Sequence, residues 1–225
     1  MYAKQFLIPA ALLLFLSIQA VAQVSFKVGV NIASIAESAT EDTYRELENK
    51  SVVGFQAGLA FDLAPHSMIS IQPELLFIQK GGKVAYGLDD NNRIENRYYY
   101  NYLEVPVLAK LKLGIGENRT GIFLLAGPYV GMAFSGKVKQ KVTFLGQTTT
   151  SEDKFTFDND DPDERNRRLD WGLSFGGGLK VGAIYVDLRY NLGINNLVDN
   201  DASNQNDNKP YRRNRGIGIA VGYEF

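Results

Sequence analysis

The chain has 225 residues, a formal net charge of −1, 22 Gly, 12 Tyr, 13 Phe and no Cys. The near balance of charge argues against nucleic acid or a strongly acidic partner. The lack of Cys excludes a disulfide framework, and the Gly and aromatic content suits β-structure with tight turns.

Met1–Gln5 carries one cation, Lys4, ahead of the apolar run "FLIPAALLLFLSI" and an A-x-A arrangement at Ala20 and Ala22. This order reads as a secretory signal peptide over residues 1–22, cut after Ala22. The run is too short for a spanning helix of about 20 residues. No Cys follows it, so a lipoprotein anchor has no acceptor. Residues 23–225 then form one β-domain.

Eight runs alternate apolar and polar residues with a period of two, the sign of strands with two unlike faces. The first is "VSFKVGVNIA", with Val24, Phe26, Val28, Val30 and Ile32 opposite Ser25, Lys27, Gly29 and Asn31. The second, "VVGFQAGLAFDL", sets Phe55, Leu59 and Phe61 against Gln56 and Asp62. The third, about Met68 to Gln79, sets Ile69, Ile71, Leu75 and Phe77 against Ser70, Gln72 and Glu74. In the fourth, "YYYNYLEVPVLAKLKL", Glu104, Lys110 and Lys112 share the polar face. The fifth, "GIFLLAGPYVGMAFSG", has the least distinct faces. The sixth, "LDWGLSFGGGLK", and the seventh, "AIYVDLRYNLG", set Asp170, Lys180, Asp187 and Arg189 opposite Trp171, Leu179, Val186 and Tyr190. The eighth, "GIGIAVGYEF", runs to Tyr223, Glu224 and Phe225 with no polar tail.

Short connections (Ala64–Ser67, Gly114–Arg119, Val181–Gly182) alternate with long polar ones (about Ser34–Lys50, Gly82–Asn96, Lys137–Arg168 and Asn195–Arg212). That asymmetry predicts a closed antiparallel transmembrane β-barrel of about eight strands, with short periplasmic turns and long outer loops. Lipid offers no water to an open edge, so the last strand must pair with the first. Phe61, Tyr223 and Phe225 are then expected in an aromatic girdle at the periplasmic rim, and Tyr99, Phe134, Trp171 and Tyr190 at the outer rim. A soluble barrel or sandwich also alternates, but with its apolar face inward.

"QPELLFIQKG" at Gln72–Gly81, "YLEVPVLAKLK" at Tyr102–Lys112, "AGPYVG" at Ala126–Gly131 and "RYNLGINN" at Arg189–Asn196 resemble the PorT-type outer-membrane β-barrels of Bacteroidota. The resemblance implies an outer-membrane barrel of about eight strands and no single activity.

Candidate chemistry is sparse. "GLSFG" at Gly172–Gly176 fits the G-x-S-x-G pattern, but that motif needs a sharp strand-to-helix turn and a His after the Ser. Ser174 lies inside a strand run, and the one His, His66, lies upstream in a short turn. The acidic stretch Asp158–Glu164 lacks the bend Gly of a calcium loop. "NRT" at Asn118–Thr120 falls in a predicted periplasmic turn. No enzyme activity, cofactor or metal is expected. Lys27, Asp62, Glu74, Glu104, Lys110, Lys112, Asp170, Lys180, Asp187, Arg189 and Glu224 all fall on the predicted lumen face. Charges of both signs in so narrow an interior are expected to pair and plug it; the alternative is a small porin-like channel. Expected partners are outer-membrane lipid, the barrel assembly machinery through the strand ending in Phe225, and a ligand at the outer loops. The Lys137–Arg168 connection is long enough for a hairpin of its own, with "KVKQKVTFL" and "TTTSEDKFTF" as arms.

Overall fold

The structure, a computed structural model, describes residues 22–37, 51–89, 92–114, 120–156, 168–197 and 212–225. The strands are β1 (Gln23–Glu37), β2 (Val52–Asp62), β3 (Ile69–Asp89), β4 (Asn92–Leu113), β5 (Gly121–Phe144), β6 (Gln147–Thr156), β7 (Leu169–Val181), β8 (Ile184–Gly193) and β9 (Arg212–Glu224). Every pairing is antiparallel. Each ring strand pairs with its sequence neighbours, except that β5 passes over β6 to β7. β9 returns to β1, from Ser25↔Glu224 to Glu37↔Arg212. Eight strands therefore form a closed ring and β6 stands outside it.

The faces are inverted relative to a soluble protein. Phe26, Val28 and Val30 are 45%, 41% and 44% exposed, whereas Lys27 between them is 3% exposed. The same reversal runs round the ring: Leu103, Val105 and Val107 face out beside buried Glu104, and Ile217, Ile219 and Val221 face out on β9. The apolar-inward barrel is thereby excluded. β5 has blurred faces because its inward residues Phe123, Leu125 and Tyr129 are themselves large and aromatic or apolar; Phe123 and Leu125 pack with Leu108 and Tyr185.

The connections differ from their expected form in one place. Gly82–Asn96 reads as a polar loop, but β3 continues to Asp89 and β4 starts at Asn92, paired from Lys80↔Tyr100 to Gly87↔Arg93. Val84, Ile94, Tyr98 and Tyr99 give these arms β-propensity, and cross-strand pairing outweighs their polar neighbours. The hairpin expected beyond Lys137 is formed: β5 pairs with β7 over Gly121–Met132 and with β6 over Ser135–Phe144. Its tip, Leu145–Gly146, has two positive φ values, 49° and 78°, as a two-residue turn matching strand twist requires. A register shift at Asn101/Tyr102 opposite Phe134 marks where the barrel wall passes into this external sheet. At the start of this sheet β3 comes close to β1: a Cβ on Gly82 would stand 3.1 Å from the Ile35 side chain. The signal-peptide segment to residue 21, the acidic stretch Asp158–Glu164, and residues 118–119 of the "NRT" site lie outside the described residues.

Candidate functional site

Strand alternation delivers the charged side chains to one interior, where they sort into three layers. In the middle layer Arg189 of β8 reaches across the ring to Glu74 of β3, four strands away on either side. The contact is two-pronged, Nη1 to Oε2 at 2.7 Å and Nη2 to Oε1 at 3.0 Å. Arg189 Nη2 also donates to Asp187 Oδ2 at 2.6 Å. Lys27 joins Glu74 at 2.8 Å and Asp187 at 3.3 Å, and Gln72 donates to Glu74 Oε1 at 2.7 Å. Two cations and two carboxylates thus cross-link β1, β3 and β8. The planar fork of Arg suits such a two-oxygen contact.

Toward the outer mouth, Lys80 lies between Glu104 and Asp170, 2.9 Å from Asp170 Oδ2. The Tyr129 ring centroid is 4.3 Å from its ammonium and the Tyr102 centroid 5.2 Å. Asn214 donates to Asp170 Oδ2 at 2.9 Å. Toward the periplasmic end, Lys112 and Lys110 are 2.7 and 3.3 Å from Asp62 Oδ2, and Lys110 is 3.8 Å from Glu224. Lys180 pairs with Glu224, and Lys112 also donates to the Ala64 and Pro65 carbonyls at 2.8 and 3.0 Å.

All eleven predicted lumen charges therefore face inward. Lys80 joins them, unnoticed in the sequence because the third run was ended at Gln79. Its signal was there: it continues the alternation of Ser70, Gln72 and Glu74. With Lys80 included, the interior holds six cations and six carboxylates in contact.

The predicted girdle residues all face away from the lumen. Tyr223 and Phe225 meet edge to face, centroids 5.3 Å apart, at the same end as Phe61, which pairs with Val24. Trp171, Tyr190 and Phe134 are outward on the other half. Phe134 touches Phe77, and Phe77 touches Phe55, at 6.0 and 6.2 Å; these last two were missed because they read as ordinary alternating apolar residues. Tyr99 lies under the Lys137 ammonium, 5.3 Å from it.

Ser174 sits in unbroken β7, its hydroxyl 2.5 Å from Asn191 Oδ1. His66 lies in the β2–β3 turn, exposed, at the end of the barrel opposite the external sheet. The structure brings the two together nowhere.

On the external sheet, Glu95 accepts from Lys83 at 2.5 Å and from Arg97 at 2.6 Å. Burial alone pushes its carboxyl up, but these two bonds outweigh burial and hold it below its ordinary value of 4.5. A lowered folded value means that the stabilisation is present above pH 4.5 and is lost as pH falls through the folded value. Amide hydrogen exchange should show greater protection of the β3–β4 arms in the wild type than in Glu95→Gln at neutral pH, the two converging as the pH is lowered from 4.5 through the folded value. A constant difference across that range would mean that the carboxylate does not hold these arms.

Residues 19–199 match the family model described as outer membrane protein beta-barrel domain. No curated protein matches the chain. Among solved structures, Ail, the attachment invasion locus protein of Yersinia pestis, is 14% identical with a TM-score of 0.39, over 91% of this chain and 99% of that one. Neisserial surface protein A is 11% identical at 0.43, over 91% and 99%. OprG from Pseudomonas aeruginosa is 11% identical at 0.43, over 91% and 96%. The match spans most of the sequence and agrees with a ring closed by β1 and β9, so the chain belongs to the outer membrane protein beta-barrel domain family.

Proposed function

We propose that the protein is a non-catalytic component of a bacterial envelope, exported by residues 1–22, whose barrel is a plugged membrane anchor and whose external strands do the binding. The resemblance to PorT-type barrels of Bacteroidota supports that placement. One observation carries the plugged reading. Glu74, Glu104, Asp170, Asp187, Lys27 and Arg189 are each 5% exposed or less, so water barely touches the charges that would line a conducting path. An ion crossing this lumen would have to break the middle layer, whose members have already exchanged water for one another. The girdle aromatics support the lipid contact, since such rings favour the interface.

A channel reading has one feature in its favour, a shallow recess lined by Asn31, Lys80, Tyr129 and Asn214, which is too tight to admit a water molecule. It lies beside Lys80 of the outer layer. In planar bilayers the wild-type protein, shown to be inserted by heat-modifiable gel mobility, should give no current. Reproducible conductance steps that change in Glu104→Gln would replace the plugged anchor with a channel.

A further inference from the structure

The ladder pairings divide the external sheet into two faces of very different charge. Cross-strand partners share a face, so the registers Lys83↔Arg97↔Lys139↔Glu152, Ala85↔Glu95↔Lys141↔Thr150 and Tyr99↔Lys137↔Lys154 lie on one side. Arg93 sits above them, opposite Thr143. That side carries seven cations (Lys83, Arg93, Arg97, Lys137, Lys139, Lys141 and Lys154) and two carboxylates, Glu95 and Glu152. The other side presents Val84, Ile94, Tyr98, Tyr100, Val138 and Val142, with Asp153 as its one charge among the described side chains.

The basic side is the upward continuation of the lipid-facing wall. On β4 the outward positions run Leu113, Leu111, Ala109, Val107, Val105 and Leu103, then Asn101, Tyr99 and Arg97. On β3 they run from Ile69 through Phe77 to Gln79, Gly81 and Lys83. On β5 they run from Ile122 to Phe134 and, past the register shift, to Lys137, Lys139 and Lys141. The apolar stretch of β4 spans roughly 25 Å at the usual strand rise and tilt, the height of a barrel's lipid belt. The change from apolar to basic falls within two neighbouring rows on three adjacent strands: Lys137 stands opposite Tyr99, and Lys83, Arg97 and Lys139 share the next row. The side chains reach solvent there, Arg97 at 46% and Lys139 at 41%.

From this placement we infer that the outward face of the β3–β6 sheet binds the phosphate groups of lipid headgroups in the outer leaflet. The inference rests on the membrane reading above. An excess of five positive charges directly above an apolar belt complements anionic headgroups, and each Lys or Arg near such a surface adds attraction that salt weakens. A soluble anion would need no alignment with the belt. Glu95 and Glu152 each hold two of the cations: Glu95 binds Lys83 and Arg97, and Glu152 lies 2.9 Å from Lys139 and 3.9 Å from Lys137. They act as spacers that keep the cations extended over the face.

Trp171, the one Trp of the chain, is a built-in reporter. It faces out on β7, paired with Val130 of β5, next to the basic strand. The full barrel is reconstituted in phosphatidylcholine vesicles containing a minor fraction of phosphatidic acid, with the acyl chains of one lipid or the other brominated to quench Trp171. Brominated phosphatidic acid should quench as if enriched about five-fold over its bulk share. High salt should remove the enrichment, and so should the variant Lys137→Gln/Lys139→Gln/Lys141→Gln. Quenching by brominated phosphatidylcholine should be unchanged in that variant, showing that it is inserted. Equal quenching by the two lipids in the wild type would overturn the inference, as would enrichment that survives the triple variant. Inorganic phosphate abolishing the enrichment at constant ionic strength would overturn it in favour of a soluble anion. Absence of quenching by either lipid would instead defeat the membrane reading itself.

Discussion

Replacing Arg189 with Met should destabilise the folded barrel by about 3–5 kcal/mol, the cost of removing one member of a buried ion pair. Arg189 is 5% exposed and gives three close contacts to two carboxylates. Without it, Glu74 and Asp187 keep Lys27 as their sole cationic partner in the layer, two negative charges against one in a dry interior. The loss should appear in urea titrations followed by heat-modifiable mobility. Combining Arg189→Met with Glu74→Gln should cost less than the sum of the single changes, because the two groups act on each other. Lys139→Gln, an ion pair on the exposed sheet, should leave the midpoint unmoved. If Arg189→Met behaved like Lys139→Gln, the middle layer would be hydrated and the plugged lumen would be wrong.

Deleting Ile217–Phe225 should abolish folding into lipid altogether. β9 supplies partners to β1 from Ser25 upward and to β8 from Ile184 to Leu192, so its loss opens two edges at once. In hydrocarbon each unpaired backbone group costs several kcal/mol, more in sum than a domain of ordinary stability holds. No heat-modifiable species should form, and its appearance would mean that β1 and β8 can close without β9. Phe225→Ala separates this from recognition in the cell. The Phe225 amide bonds the Val24 carbonyl at 2.9 Å through backbone alone, so the variant should refold normally in vitro. We propose that the assembly machinery reads the aromatic ring of Phe225, and membrane levels of the variant in cells should then fall several-fold. Unchanged levels would remove that partner.

Strand count, strand faces and the lumen membership of Glu74, Asp170 and Arg189 were legible because side-chain direction along a strand is local: each residue's face follows from its neighbours by a period of two. Ring closure was legible too, since an apolar-faced terminal strand in lipid must pair. Lys80 was lost by ending one run a residue early, and Phe55 and Phe77 looked like any other apolar position. The continuation of β3 and β4 through Gly82–Asn96 was hidden because polar strand arms and polar loops share a composition, and what separates them is a partner strand.

The sequence by itself determined a barrel with two unlike faces and the chemistry of each. Only the tertiary structure decided which charges meet. Arg189 finds Glu74 115 residues away because ring closure sets β8 opposite β3, a non-local relation that no local period encodes. The same holds for the basic face. A net charge of −1 conceals seven cations gathered on one side of four strands, because register between strands, not order along any one of them, brings Lys83, Arg97 and Lys139 into a row.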